Sequence, residues 1–183
     1  MDQNLELILT AVWNGLLRAP SDKNSPWRWP ALATAGPSVR MVVLRAVRRD
    51  PPEIDLFTDA RTPKVAQLRQ EPIAELLFWD KSKSHQVRVR GEVSVHHKDA
   101  IAEAAFGDGA RHLPRDYARL FAPGEAVTDP DSARATDGDP WAHFMVLRMA
   151  VDAIDWLELS RAGHRRAGFQ RRHGVWTGTW LTP

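Results

Sequence analysis

From Gln86 the chain reads Gln-Val-Arg-Val-Arg-Gly, and side chains in an extended backbone alternate with a period of two. Val87, Val89 and Gly91 therefore share one side, while Gln86, Arg88 and Arg90 share the other. This alternation commits about His85 to Val95 to a strand with one apolar and one polar face. The apolar run Ile73 to Trp79 precedes it, and Asp80 to Ser84 form the turn, so the pair is an antiparallel hairpin. A sheet, rather than a helical bundle, organises this part of the chain.

Upstream, Arg40 to Arg45 (Arg-Met-Val-Val-Leu-Arg) has the same β character, with Arg40, Val42 and Leu44 on one face and Met41, Val43 and Arg45 on the other. Each face carries an arginine at one end of an apolar run. A guanidinium taken out of water needs a counter-charge, which either a rim Asp or Glu or an anionic ligand would supply. Between the two strand regions, Ile54 to Phe57 is a short strand and Thr58 to Arg61 a turn. Thr62 and Pro63 then open a helix to about Gln70, with Val65 and Leu68 inward. Lys64 sits in the first turn, where the helix field disfavours a cation and favours a phosphate. It reads either as a solvated lysine or as the partner of an anion. Gln86 can serve equally as a surface strand residue or as a hydrogen-bonding group for a heterocycle edge.

The rest of the chain fits around these pieces. Apolar residues from Leu5 to Leu17 recur at helical spacing, predicting a helix from about Asp2 to Arg18 that caps a barrel. Trp27 to Thr34 is a strand interrupted by Pro30, and Gly36-Pro37 turns it into the Arg40 strand. Lys98 to Phe106 and Pro114 to Phe121 read as helices, and Ala122 to Pro140 as a loop. Phe144 to Ala150 and Ala153 to Leu159 are two further strands, and Gly168 to Arg171 with Val175 to Leu181 form a closing hairpin around His173-Gly174. The 183 residues suit one domain spanning 1–183. With no cysteine, disulfides, thiolate nucleophiles and cysteine metal sites are excluded, and redox chemistry needs a bound cofactor. The N-terminus shows neither a signal peptide nor a membrane span, so a cytoplasmic protein is expected.

The three segments, in this order, resemble the FMN-binding core of the pyridoxamine 5′-phosphate oxidase-like split-barrel flavoproteins, in particular the related branch rather than the oxidases proper. The likeness covers roughly residues 25–96 and returns over 141–183. Arg40, Met41, Val42, Val43, Leu44 and Arg45 match the family's Arg-Met-Val-x-Leu-Lys/Arg strand. Phe57 and Thr58 match its aromatic-threonine pair, Lys64 its phosphate lysine after the Thr62 cap, and Gln86 its flavin-ring glutamine. Downstream, Ile154-Asp155-Trp156 is similar to the strand that carries a flavin-proximal tryptophan, and Arg166 falls at a second FMN arginine. The resemblance implies a mainly β (α+β) fold: a six-stranded antiparallel split β-barrel with flanking helices, forming a homodimer with FMN at the interface.

Several substrate positions depart from the family. Pro63 stands where an arginine precedes the phosphate lysine, with Arg61 as a partial substitute. The Arg-x-His substrate motif reads Ala162-Gly163-His164, leaving His164 as the substrate-side group. Its substrate tyrosine and arginine have no counterparts around Ala105 to Arg111, and Arg45 replaces a lysine. The resemblance thus implies an FMN oxidoreductase with an altered substrate site; a non-catalytic flavin or tetrapyrrole carrier is the alternative. No acid or base is assigned. The seven histidines, including His96, His97 and His112, lack the spacing of a zinc site, so no metal is expected. Ser84-His85 lacks a nucleophile elbow. Arg161, Arg165, Arg166, Arg171 and Arg172 form a basic cluster without interleaved stacking aromatics, which argues against nucleic acid as a partner.

Overall fold

In the computed structural model, which describes residues 1–108, 114–134, 136 and 138–183, one antiparallel sheet takes strands from both ends of the chain. Arg111 and His112 lie outside the described residues. Nine strand segments are present among those described: β1 (Ala31–Thr34), β2 (Ser38–Met41), β3 (Leu44–Arg49), β4 (Pro52–Asp59), β5 (Ile73–Asp80), β6 (His85–His96), β7 (Phe144–Glu158), β8 (Arg165–Arg172) and β9 (Val175–Leu181). Their order is β2-β1-β5-β6-β7-β4-β3, with the β8–β9 hairpin added to the later half of β7.

The predicted six-strand count emerges from this path. β2 and β3 lie at opposite ends of the order, yet only Val42 and Val43 separate them in sequence. The Val42 and Leu44 N–H groups donate to the carbonyls of Pro30 and Arg28, both at 2.9 Å, continuing the register that pairs Ala31 with Met41. Segments β2 and β3 are therefore one bent barrel strand. It bonds β1 on one side and β4 on the other, and with β1, β5, β6, β7 and β4 it makes six. The expected uninterrupted strand from Arg40 to Arg45 is corrected in this respect: it changes partner at Val42-Val43. Pro30, lacking an N–H, explains why regular β1 begins at Ala31 and not at Trp27.

Helix α1 (Gln3–Arg18) begins where the Asp2 carboxylate accepts the Asn4 N–H at 3.0 Å, and it buries Leu5, Leu9, Val12, Trp13 and Leu16 against the barrel. A Cβ at Gly15 would lie 2.4 Å from the Trp27 ring, so glycine is what lets α1 close on that ring. Leu32, Leu44, Leu76, Phe78, Val87, Val89, Ile154, Trp156 and Phe169 fill the interior, beneath α2 (Pro63–Gln70), which contributes Val65 and Leu68. A smaller cluster, Ala102, Tyr117, Phe144 and Val146, joins α3 (Ala100–Asp108) and α4 (Pro114–Tyr117) to the outside of β7. Helix α4 stops well short of Phe121. Among the described residues, the stretch after it contains a 3-10 turn at Ser132–Arg134 and ends in α5 (Pro140–His143).

The two strands expected between Phe144 and Leu159 are a single one. Pairing passes from Arg90 opposite Ala153 to Gly91 opposite Val151, so Asp152 is an extra residue and β7 bends without ending. A Cβ on Gly91 would come within 2.1 Å of the Ala150 carbonyl oxygen. β4 extends beyond Ile54 to Phe57 at both ends, and β8 begins at Arg165 rather than Gly168. No described helix is long and apolar enough to cross a membrane.

Candidate functional site

Leu32 is opposite both Arg40 and Leu76, so Arg40 shares the barrel's inward face, as Val42 and Leu44 do. At the barrel end below α2 it meets polar groups. Its guanidinium donates to the Thr34 hydroxyl at 2.7 Å, to Gln67 Oε1 at 3.2 Å and to the Ser38 hydroxyl. Thr34 also donates to Gln67 Oε1 at 2.7 Å. From the adjoining β4–α2 turn, the Lys64 ammonium donates to the Thr58 hydroxyl at 2.8 Å, and Thr58 lies 3.3 Å from the Thr62 hydroxyl.

Neither Arg40 nor Lys64 forms a salt bridge among the described residues, unlike the strand arginines Arg48, Arg88, Arg148, Arg165 and Arg166. Burial pulls the Lys64 ammonium below its ordinary pKa, the nearby Arg40 charge lowers it further, and Asp59 only partly opposes them. Burial likewise lowers Arg40. Two cations thus sit together, desolvated, among hydroxyls and an amide, at the start of a helix. Thr62 occupies the cap position, but its hydroxyl donates to the Asp59 carbonyl at 2.8 Å and does not cap the helix, contrary to the simple reading of Thr-Pro. This arrangement suits a phosphate, which would compensate both charges.

The outward face of the same strand differs. Met41 is 63% exposed, so in a single chain the apolar run on that face meets solvent. Val43 is half-buried, and Arg45 crosses to a cleft where its guanidinium lies 5.5 Å from the centre of the Phe57 ring. Leu44 is fully in the core, leaving only its backbone to offer a ligand.

Gln86 is on the outer face, half-buried, and its side-chain amide has no hydrogen-bond partner among the described residues. Arg166, opposite Leu157 and on that same face, pairs with Asp155 at 2.8 Å, and Arg88 joins the carboxylate at 3.1 Å. Trp156 points inward, 4% exposed, edge-on to His85 with ring centres 5.2 Å apart and with Arg165 5.7 Å from its own ring centre. It lies eleven residues further along β7 than Met145, the partner of Thr58. One chain therefore brings Arg40, Thr58, Thr62 and Lys64 together, and holds Gln86, Trp156 and Arg166 elsewhere. His164 is exposed in a tight turn, its Nδ1 accepting the Ser160 N–H at 3.1 Å.

Arg61 is not available as a substitute arginine. It bonds both carboxylate oxygens of Asp59 and the carbonyls of Arg119 and Leu120. Conversely, Thr34, Ser38 and Gln67 belong to the cationic cluster and were not among the residues singled out from sequence. Lys64 and Gln67, three apart on one helix, share a face, and that spacing was the available signal for Gln67.

Comparison with known proteins agrees with this geometry. Residues 10–97 match the family model described as pyridoxamine 5′-phosphate oxidase, FMN-binding domain. A pyridoxine/pyridoxamine 5′-phosphate oxidase of Hyphomonas neptunium is 29% identical over 188 residues, covering 93% of this chain and 84% of its own. The enzyme of that name from Caulobacter vibrioides is 27% identical over 179 residues, covering 91% and 78%. Among solved structures, a pyridoxamine 5′-phosphate oxidase-related, FMN binding protein of Nostoc punctiforme superposes with a TM-score of 0.78 at 19% identity, covering 94% of this chain and 96% of that one. PhzG of Burkholderia lata, solved with tetrahydrophenazine-1-carboxylic acid, gives 0.70 at 19% identity, covering 98% and 90%.

Proposed function

We infer that this chain, which belongs to the pyridoxamine 5′-phosphate oxidase-like family of FMN-binding split barrels, is an FMN-dependent oxidoreductase whose substrate is not a pyridoxine phosphate. The observation that carries the reading is the pair Arg40 and Lys64: two partly desolvated cations without a salt bridge among the described residues, ringed by the hydroxyls of Thr34, Ser38 and Thr58. They would neutralise the FMN phosphate, and Gln67 keeps Arg40 and Thr34 oriented toward it. FMN, when bound, supplies the two-electron centre that a chain without cysteine lacks. The protein's part is positional and electrostatic. The Val42-Val43 link, where the strand changes partner, would offer its backbone to the ring system, and the unpartnered Gln86 amide would hydrogen-bond a ring edge.

The substrate side supports a departure from vitamin B6 chemistry. Pro63 and Ala162 replace two arginines that the family uses, and Arg61 is held by Asp59. We further place the protein in the cytoplasm, as one functional unit over 1–183. It would act as a homodimer in which one copy's Arg40 and Lys64 group meets the other's Gln86 and Arg166, with Trp156 buried behind that face. The separation of these two groups within a single chain favours that arrangement. So does the exposed apolar row of the outer sheet face, Val39, Met41, Leu77 and Trp79.

Anaerobic reduction of the FMN-loaded protein by dithionite tests the oxidoreductase reading. We expect the bound flavin to bleach and to recover its colour on admission of air, and an organic donor to replace dithionite. A flavin that stays bound but accepts electrons from no organic donor would instead favour the carrier role, which the missing substrate arginines also suit.

A further inference from the structure

A second cavity, of about 600 Å³, opens between α3 and the outer side of β3 and β4, within the size range of small-molecule sites. Its helix wall is Ala100, Ile101, Ala104 and Ala105, and Phe57 and Leu44 contribute to the opposite wall. Small apolar side chains on one side and an aromatic ring on the other leave a flat space without hydroxyls or lysines among the described lining residues.

Charge in the cleft is uneven. Of its four arginines, Arg48 and Arg148 are both bound to Asp55, at 2.8 and 2.9 Å, with Glu53 2.8 Å from Arg48. Arg28 donates to the Pro20 carbonyl. Among the described residues Arg45 has no carboxylate partner, and its buried Nε has no hydrogen-bond acceptor. A desolvated donor in that state gains from any acceptor brought to it.

We propose that this cleft binds a flat, largely apolar organic acid, its carboxylate on Arg45 and its ring system between Phe57 and the alanine face of α3, and that it discriminates against phosphate esters. The contrast within the molecule sets the class. Where it is built for phosphate, it supplies two cations and three hydroxyls, at Arg40, Lys64, Thr34, Ser38 and Thr58. Beside Arg45 it supplies apolar walls, no hydroxyl, and a planar guanidinium whose Nε has no acceptor among the described residues, while Arg28, likewise without a carboxylate, is held by the Pro20 carbonyl; this suits a carboxylate taken in a two-pronged contact. Naming the acid as the substrate rests on the oxidoreductase reading above; its binding does not.

Calorimetric titration of the FMN-loaded protein with 1-naphthoate, its neutral isostere 1-naphthamide, and pyridoxamine 5′-phosphate tests the proposal. We expect 1-naphthoate to bind about tenfold or more tightly than either other probe, a preference that Arg45→Gln abolishes. Ala104→Trp, at an exposed helix position, should fill the cleft and remove naphthoate binding, with its melting curve reporting that the variant folds. Equal binding of the acid and the amide, tighter binding of pyridoxamine 5′-phosphate, or a preference that survives Arg45→Gln would overturn it. If FMN itself fails to bind while naphthoate still does so through Arg45, the flavin reading falls and this one stands; FMN binding without the naphthoate preference gives the reverse.

Discussion

Lys64 and Arg40 repel one another in the FMN-free protein, and their value lies in what that repulsion is held ready for. Replacing Lys64 with alanine removes one charge-assisted phosphate contact, and FMN affinity measured by calorimetry should fall by about 1.5–3 kcal/mol. Gln67→Leu should weaken FMN less, by about 1 kcal/mol, because it disturbs only the orientation of Arg40 and Thr34. The lowered Lys64 pKa gives a pH dependence with a definite sign. Its folded value lies below the unfolded 10.5, so between the two the unfolded chain binds more protons, and this residue's contribution to the stability of the FMN-free protein rises with pH. FMN affinity runs the other way, falling as pH climbs through the depressed value, since a neutral amine no longer pairs with phosphate. Asp55 contributes to stability with the same sign as Lys64 but a different cause: it is buried, yet bonds from Arg148 and Arg48 outweigh that burial and hold it below 3.8. Its stabilising contribution is complete above the unfolded value and is lost as pH falls through the folded one. Asp55→Ala should cost about 2 kcal/mol in chemical denaturation, below the range for fully buried pairs because Arg48 is about one-third exposed.

At the level of elements, two of the barrel's irregularities matter here: the partner change at Val42-Val43 and the bulge at Asp152. The second depends on Gly91, whose missing Cβ admits the Ala150 carbonyl. Gly91→Val should destabilise the protein by about 3 kcal/mol, at the upper end for overpacking because the obstruction is backbone; denaturant midpoints would show it. These features also mark where sequence reasoning reached its limit. The alternation at Gln86 to Gly91, the Leu5 to Leu17 periodicity and the Pro63 helix start are local patterns, and they place β6, α1 and α2 correctly. The joining of Phe144 to Glu158 into one strand is not local, because it is β6 that holds both halves in register across the extra residue. The same distinction applies to the site. Lys64 is legible from its place in a helix turn, whereas Thr34 and Ser38 become site residues only because strand pairing brings them opposite one another and within reach of Arg40.

For the whole molecule, one sheet face remains to be covered. Val39, Met41, Leu77 and Trp79 present a row of exposed apolar side chains on the outside of β2, β1 and β5, next to the half-buried Gln86. A two-fold interface meets each substitution twice. On the homodimer proposed above, Met41→Glu should therefore shift the protein to a monomer in light scattering while leaving its melting temperature nearly unchanged, and should lower FMN occupancy with the loss of the second copy's contribution. The central claim, however, is that a phosphate-specific pair of cations holds the flavin, and comparing FMN with riboflavin tests it most directly. By calorimetry we predict FMN to bind about tenfold or more tightly than riboflavin. Lys64→Ala should bring FMN toward riboflavin while riboflavin itself is unaffected. Equal affinity for FMN and riboflavin, or a Lys64→Ala variant that weakens both alike, would contradict the account.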